Sequence, residues 1–146
     1  MEQVAERTAP TVPESPHEPR RGLPSAVLVA IRPQEWIKNL LVFAGLIFSG
    51  SFDEPSAIAD ATLTFAAFCA ISSAGYLFND LHDAPFDRRH PEKRLRPIAS
   101  GELPVTTAWA IAATLAVAGV GVALVTVSAE AAAMVAGYGV AICSCK

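Results

Sequence analysis

The sequence predicts an all-α protein built as a transmembrane helical bundle. Of its 146 residues, 52% are hydrophobic, and they gather in long uncharged runs instead of following an amphipathic period. Nineteen residues separate Asp60 from Asp80, and 27 separate Glu102 from Glu130, with no charge between. Either run crosses a hydrocarbon core of about 30 Å at about 1.5 Å per helical residue. All eleven Lys and Arg residues fall within 7–38, within 88–96 or at Lys146, while the connections around Asp53-Glu54 and Glu130 carry only acids. Bases confined to alternate loops obey the positive-inside rule, which a soluble bundle would match only by coincidence. The expected protein is a multi-pass protein of the cell (inner) membrane, with its N-terminus, the 84–104 loop and Lys146 cytoplasmic. The lipid bilayer is its surroundings, and no nucleic-acid partner is expected.

Residues 1–24 hold no apolar run, so they read as neither a signal peptide nor a span. Pro10, Pro13, Pro16 and Pro19 recur every third residue among charges, a polyproline II spacing in a segment too polar to order itself. A disordered cytoplasmic tail is expected there. Residues 25–146 then form the membrane domain, with four expected helices at about 34–49, 56–79, 105–127 and 130–145. A short segment, Leu23 to Ile31, leads into Arg32-Pro33-Gln34-Glu35-Trp36-Ile37-Lys38-Asn39, where an early proline and an interfacial tryptophan mark a helix entering from the cytoplasmic face. The stretch Ser49-Gly50-Ser51-Phe52-Asp53-Glu54-Pro55 is a turn by composition.

The second expected helix returns to the acids at its inner end. A loop with Pro85, Pro91, Pro97, Pro104 and five bases follows, and the third helix starts at Val105. Gly119, Gly121, Gly137 and many alanines suit close helix approach in lipid, where no hydrophobic drive operates between helices. Cys69, Cys143 and Cys145 form no disulfide framework, and one Cys-x-Cys pair without further ligands is poor grounds for zinc. They read as structural or incidental.

The chemistry gathers between Asn79 and Gly101. Asn79, Asp83 and Asp87 stand at i, i+4 and i+8, and four helical residues turn through about 400°, so the three share one stripe with a drift of about 40° per step. Hard oxygen ligands at that spacing suit Mg²⁺, which keeps its other positions for water and a diphosphate, while Lys and Arg hold the phosphates. The same acids would also serve as a solvated cap paired with Arg88 and Arg89. Acids at the end of a span are tolerated where they meet water, metal or bases, because a charge in the bilayer centre costs about 2.5–3.5 kcal/mol on insertion scales. Charge at a membrane surface points to a substrate that is half lipid.

Asn79-Asp80-x-x-Asp83-x-x-x-Asp87-Arg88 resembles the first aspartate-rich motif of the UbiA-type membrane prenyltransferase superfamily. Its continuation, Arg88-x-His90-Pro91-x-Lys93-Arg94-x-Arg96-Pro97-Ile98-Ala99-Ser100-Gly101, is similar to the branch that transfers phosphoribose from phosphoribosyl pyrophosphate to decaprenyl phosphate. Arg32-Pro33-x-x-Trp36-x-Lys38-Asn39 is similar to the start of that branch's first helix. The resemblance implies a bundle of about nine helices around a cavity open to the membrane, of which about four lie here. It implies that polyprenyl phosphate attacks the anomeric carbon of the donor while Mg²⁺ stabilises the departing pyrophosphate, giving lipid-linked pentose for cell-wall or polysaccharide synthesis. Asp83 and Asp87 are then the Mg²⁺ ligands, with Asn79 as a polar ligand or its support and Asp80 as a further acid. Lys38, Arg88, Lys93, Arg94 and Arg96 are the phosphate-binding candidates. His82 and His90 are expected to brace the surface or the loop, since a phosphate nucleophile needs no general base.

Two features depart from the family pattern. Pro85 lies between Asp83 and Asp87, where it removes a backbone donor and disfavours helix at Ala84, so the helix is expected to kink or end there and Asp87 to approach from the loop. No aspartate follows Asp87, whereas the family carries a second aspartate-rich motif, so the expectation is an N-terminal part that is inactive alone. Two other readings stay open: a UbiA-type aromatic prenyltransferase of a quinone or haem pathway, and a non-catalytic small membrane protein whose basic loop binds lipid or a partner.

Overall fold

The computed structural model describes residues 21–126 and 129–144, the side chains of 126 and 129–135 excepted. Most of the expected tail, together with Cys145 and Lys146, lies outside the described residues. The elements run α1 (Leu23–Ile31), a 3-10 helix (Pro33–Leu40), α2 (Leu41–Phe48), α3 (Pro55–Asp87), a 3-10 turn (Lys93–Leu95), α4 (Val105–Thr126) and α5 (Ala129–Ser144). The fold is all-helical, and α3 is its axis: α1, the long 3-10 helix, α2, α4 and α5 all pack on it. By length and composition, α3 and α4 can each cross a membrane.

Among the described residues five α-helices form, one more than the four spans expected from sequence. Leu23–Ile31 forms a helix of its own, because Ala26 and Ala30 sink with Leu77, Ala84, Ile98, Leu103, Ala108 and Ala112 into one buried cluster. The expected helix at 34–49 divides into eight residues of 3-10 helix and a short α2. A 3-10 helix repeats every three residues, so Trp36 and Asn39 fall on one line, and both reach α3. Those side-chain bonds explain why so long a 3-10 run holds.

The third departure concerns Pro85. Contrary to expectation, α3 continues through it to Asp87, and Arg88 N–H closes the last turn on the Ala84 carbonyl at 3.2 Å. So near a helix end, the missing donor of Pro85 removes a single ladder bond, and packing of buried Ala84 outweighs it. At 33 residues α3 is about 50 Å long, well beyond the ~30 Å hydrocarbon core, so its acidic C-terminal turns extend past the apolar zone.

Small residues set the helix spacing. A Cβ at Gly119 of α4 would stand 3.0 Å from the Ala67 carbonyl oxygen of α3, and one at Gly139 of α5 would stand 2.8 Å from Ile71 Cγ1. Around these crossings Ala67, Ile71 and Ala123 are buried, flanked by Phe68, Val120 and Tyr138. Close backbones gain dispersion contact that lipid would otherwise supply.

Candidate functional site

A polar stripe on α3 docks the segment 32–39 in antiparallel register. Cys69, Ser73, Tyr76 and Asp80 are spaced by four, three and four residues, which keeps them on one helix face. Asn39 Nδ2 donates to Cys69 Sγ at 3.4 Å, and Trp36 Nε1 donates to Ser73 Oγ at 3.0 Å. Ser73 Oγ–H in turn donates to the Ile31 carbonyl at 2.8 Å. Lys38 Nζ donates to Tyr76 Oη at 2.9 Å and pairs with Glu35, while Tyr76 Oη donates to Glu35 at 3.3 Å. Tyr138 of α5 closes the set by donating to Asn39 Oδ1 at 3.1 Å. Lys38, a phosphate-binding candidate, is therefore already engaged, with its side chain half exposed.

The stripe ends at the acids. Asp80 and Asp87 are only 4% and 3% exposed. Arg32 Nη2 grips both oxygens of Asp80 at 3.0 and 3.3 Å. Arg96 Nη1 bridges the two acids, 3.2 Å from Asp80 Oδ1 and 2.8 Å from Asp87 Oδ2. Two guanidinium groups thus meet two carboxylates, and such pairing is what allows carboxylates to leave water, since an unpaired buried charge costs several kcal/mol. Seven helical residues turn through about 700°, so Asp80 and Asp87 lie within about 20° of one line, two turns apart.

The expected trio does not converge. Asn79 turns to α5, donating to the Ile142 carbonyl at 3.1 Å, and the half-buried Asp83 lies between the two directions. Over two steps the drift of the stripe totals about 80°, which carries Asp87 beside Asp80 and away from Asn79. Arg32 was not among the expected site residues. Its partner lies 48 positions away, and only the i, i+7 spacing of Asp80 and Asp87 hinted at a shared cation. Arg32 also holds the left-handed conformation, φ 52°, that ends α1, and its guanidinium stands 5.1 Å from the Tyr76 ring centroid.

Among the other bases, Arg88 Nε donates to the Ala99 carbonyl at 3.3 Å, which ties the loop to the helix end. Lys93 and Arg94 are exposed. His90 Nδ1 accepts the N–H groups of Glu92 and Lys93 at 3.3 and 3.4 Å, so it braces the loop, and His82 is exposed. A hollow of about 250 Å³ opens beside the acids, walled by Val29, Arg32, Asp80, Glu92 and Arg96. Three carboxylates and an amide within about two turns are the hard-oxygen donors Mg²⁺ takes. Among the described residues no three His, Cys, Asp or Glu side chains are gathered tightly enough to hold a metal as they stand. The donor set fits the ion chemically, and Arg96 now lies between two of its members.

A second hollow, about 420 Å³ and almost wholly apolar, runs between α3, α4 and α5, walled by Gly75, Phe78, Trp109, Ala112, Gly139 and Val140 among others. Phe78 and Asp80 stand about 200° apart around α3, so the apolar hollow and the charged one lie on opposite sides of the helix.

An all-helical fold around one long apolar helix that ends in paired acids and arginines defines a class. The chain belongs to the UbiA prenyltransferase family, a family of integral membrane proteins, which it matches over residues 39–144. It is similar to the decaprenyl-phosphate phosphoribosyltransferase of Corynebacterium glutamicum, with 38% identity over 128 residues covering 86% of this chain and 38% of that protein. The Mycolicibacterium smegmatis protein of the same name is 44% identical over 104 residues, 68% of this chain and 33% of its own. That of Mycobacterium tuberculosis is 38% identical over 104 residues, 68% of this chain and 34% of its own. The chain therefore spans about a third of the length of these relatives.

Proposed function

We propose that this chain is the part of a polyprenyl-phosphate phosphoribosyltransferase that supplies the first acidic motif and the basic loop. A 5-phosphoribosyl group passes from phosphoribosyl pyrophosphate to a polyprenyl phosphate such as decaprenyl phosphate: a phosphate oxygen bonds to the anomeric carbon, and pyrophosphate leaves. The observation that supports the reading is the ending of one long apolar helix in acids that a basic loop reaches through Arg96, in a chain that matches the UbiA family over residues 39–144. Asp83 and Asp87, with Asn79 as a polar ligand or its support, are the residues that would hold Mg²⁺, which when bound would neutralise charge on the leaving pyrophosphate, while Asp80 anchors Arg32.

The chain's own residues do the remaining work. Arg96, on the loop, and the exposed Lys93 and Arg94 offer charge to phosphate oxygens, while Arg88 holds the loop against the helix end. Lys38, like Arg32, is a cation of the docked segment that stands at the ring of Tyr76. The small residues along the apolar hollow leave room for a hydrocarbon chain. The basic loop lies on the cytoplasmic face of the cell membrane, where a soluble sugar diphosphate would meet it.

A chimera tests this: residues 39–144 replace the matched stretch of the Corynebacterium glutamicum relative, and transfer of labelled phosphoribose to polyprenyl phosphate is followed with and without Mg²⁺. Mg²⁺-dependent transfer is expected. Transfer of a prenyl group to an aromatic acceptor, with no phosphoribosyl transfer, would move the chain to the other enzymatic branch.

A further inference from the structure

We propose that the two arginines at the acidic end of α3 divide two tasks: Arg32 is a positioning residue fixed on Asp80, and Arg96 is an exchangeable cation that guards Asp87 until a metal and diphosphate displace it. The proposal rests on the functional reading above and adds which acid is structural and which is free to change partner.

The two arginines are held differently. Arg32 is fixed at three points: a left-handed backbone at φ 52°, both oxygens of Asp80, and the face of Tyr76 at 5.1 Å. It also begins the segment docked along Cys69, Ser73 and Tyr76. Removing it from Asp80 would disturb a whole register of bonds. Arg96 has no such ties. It sits on extended backbone, φ −64° and ψ 141°, just after a three-residue 3-10 turn. A single nitrogen, Nη1, makes its bonds to both acids. If Arg96 turns away, Asp80 keeps Arg32, whose Nη2 reaches both of its oxygens, whereas Asp87 gives up its 2.8 Å ion pair.

The exchange conserves charge pairing. A divalent cation arriving at Asp87 replaces the guanidinium, and the released guanidinium meets the phosphate oxygens that arrive with the cation. Each group leaves one partner of opposite charge for another, so no buried carboxylate is left bare. The direction of swing is set by the hollow of about 250 Å³, which Arg96 already lines. Asp80 stays with Arg32 throughout and is not a metal ligand.

The test is binding without turnover. Mn²⁺, a spectroscopic substitute for Mg²⁺, is titrated by electron paramagnetic resonance into the detergent-solubilised chain, and pyrophosphate is then added to the Mn²⁺-loaded protein. Arg96→Gln should bind Mn²⁺ at least about fivefold more tightly, because the competing cation is gone, and pyrophosphate at least about tenfold more weakly. Opposite changes in two affinities are not what a simply unfolded variant gives. Arg96→Lys, which keeps the charge but cannot bridge as a planar group, should change both in the same directions by less. The double variant Arg32→Gln/Asp80→Asn removes an ion pair as a unit and should keep Mn²⁺ affinity within about twofold. Unchanged Mn²⁺ affinity in Arg96→Gln would overturn the exchange, and loss of Mn²⁺ in the double variant would overturn the structural role of Asp80. Absence of Mn²⁺ binding in every form would instead remove the metal reading on which the proposal rests.

Discussion

Replacing Arg32 separates its two contributions, one from the side chain and one from the backbone. Arg32→Ala removes two bonds to Asp80, at 3.0 and 3.3 Å, but leaves Arg96 on the same carboxylate at 3.2 Å. The full cost of stripping a buried charge, about 3–5 kcal/mol, therefore does not apply. Loss of a charge-assisted pair with one partner remaining costs about 1.5–3 kcal/mol. Arg32→Gly loses the same bonds but adopts φ 52° without the Cβ clash, which costs other residues about 1–2 kcal/mol. Its more flexible unfolded chain returns about 0.5–1 kcal/mol of that gain. Arg32→Gly should thus be about 0.5–1 kcal/mol more stable than Arg32→Ala, and both less stable than the native chain. Thermal unfolding in detergent, read by a thiol-reactive dye, is suited to the comparison because Cys69 is a buried free thiol on the docked stripe. A Gly variant less stable than the Ala variant would refute the backbone argument, and native stability in both would refute the ion pair.

Other outcomes follow from features already described. A reporter inserted near Asp53 should be external and one fused after Lys146 cytoplasmic, and accessibility labelling that finds the 88–96 loop outside would overturn the orientation. In a chimera that turns over, Asp83→Asn or Asp87→Asn should lower the rate at least about 10²-fold while membrane insertion is kept, equal to about 2.7 kcal/mol of transition-state stabilisation. Undiminished turnover in both would remove these acids from the chemistry. Gly119→Leu should separate α3 from α4, since even a Cβ would stand 3.0 Å from the Ala67 carbonyl oxygen, and should cost about 1–3 kcal/mol by SDS titration against an unchanged Gly121→Leu control, which meets nothing within 4 Å. Trp36→Phe, which deletes only the 3.0 Å bond to Ser73, should cost about 1 kcal/mol in the same assay.

The long apolar helices were legible because a span needs a run without charge, and such runs have no other common use. The course of 32–40 was not, because eight residues of 3-10 helix depend on side-chain partners on α3, some 30 to 48 positions away in the chain. Pro85 was misread as a boundary: a local rule was applied where buried Ala84 and the nearby helix end decided otherwise. Asn79, Asp83 and Asp87 were recognised as a group from spacing alone. Which of them face together depended on drift accumulated over two steps and on Arg96, nine positions beyond Asp87 on a loop whose path the sequence does not specify.

Because α3 runs unbroken through Asp87, all four polar groups at its end are graduations on one rigid ruler. Their mutual spacing is set by helical geometry and cannot be adjusted for a particular ligand. Whatever adaptation the site makes must come from the bases, which sit on the loop and on the docked segment. Retuning this end of the protein toward a bulkier or smaller ligand is therefore a problem of the loop between Arg88 and Gly101 and of the docked segment, and one that leaves the membrane-spanning helix untouched.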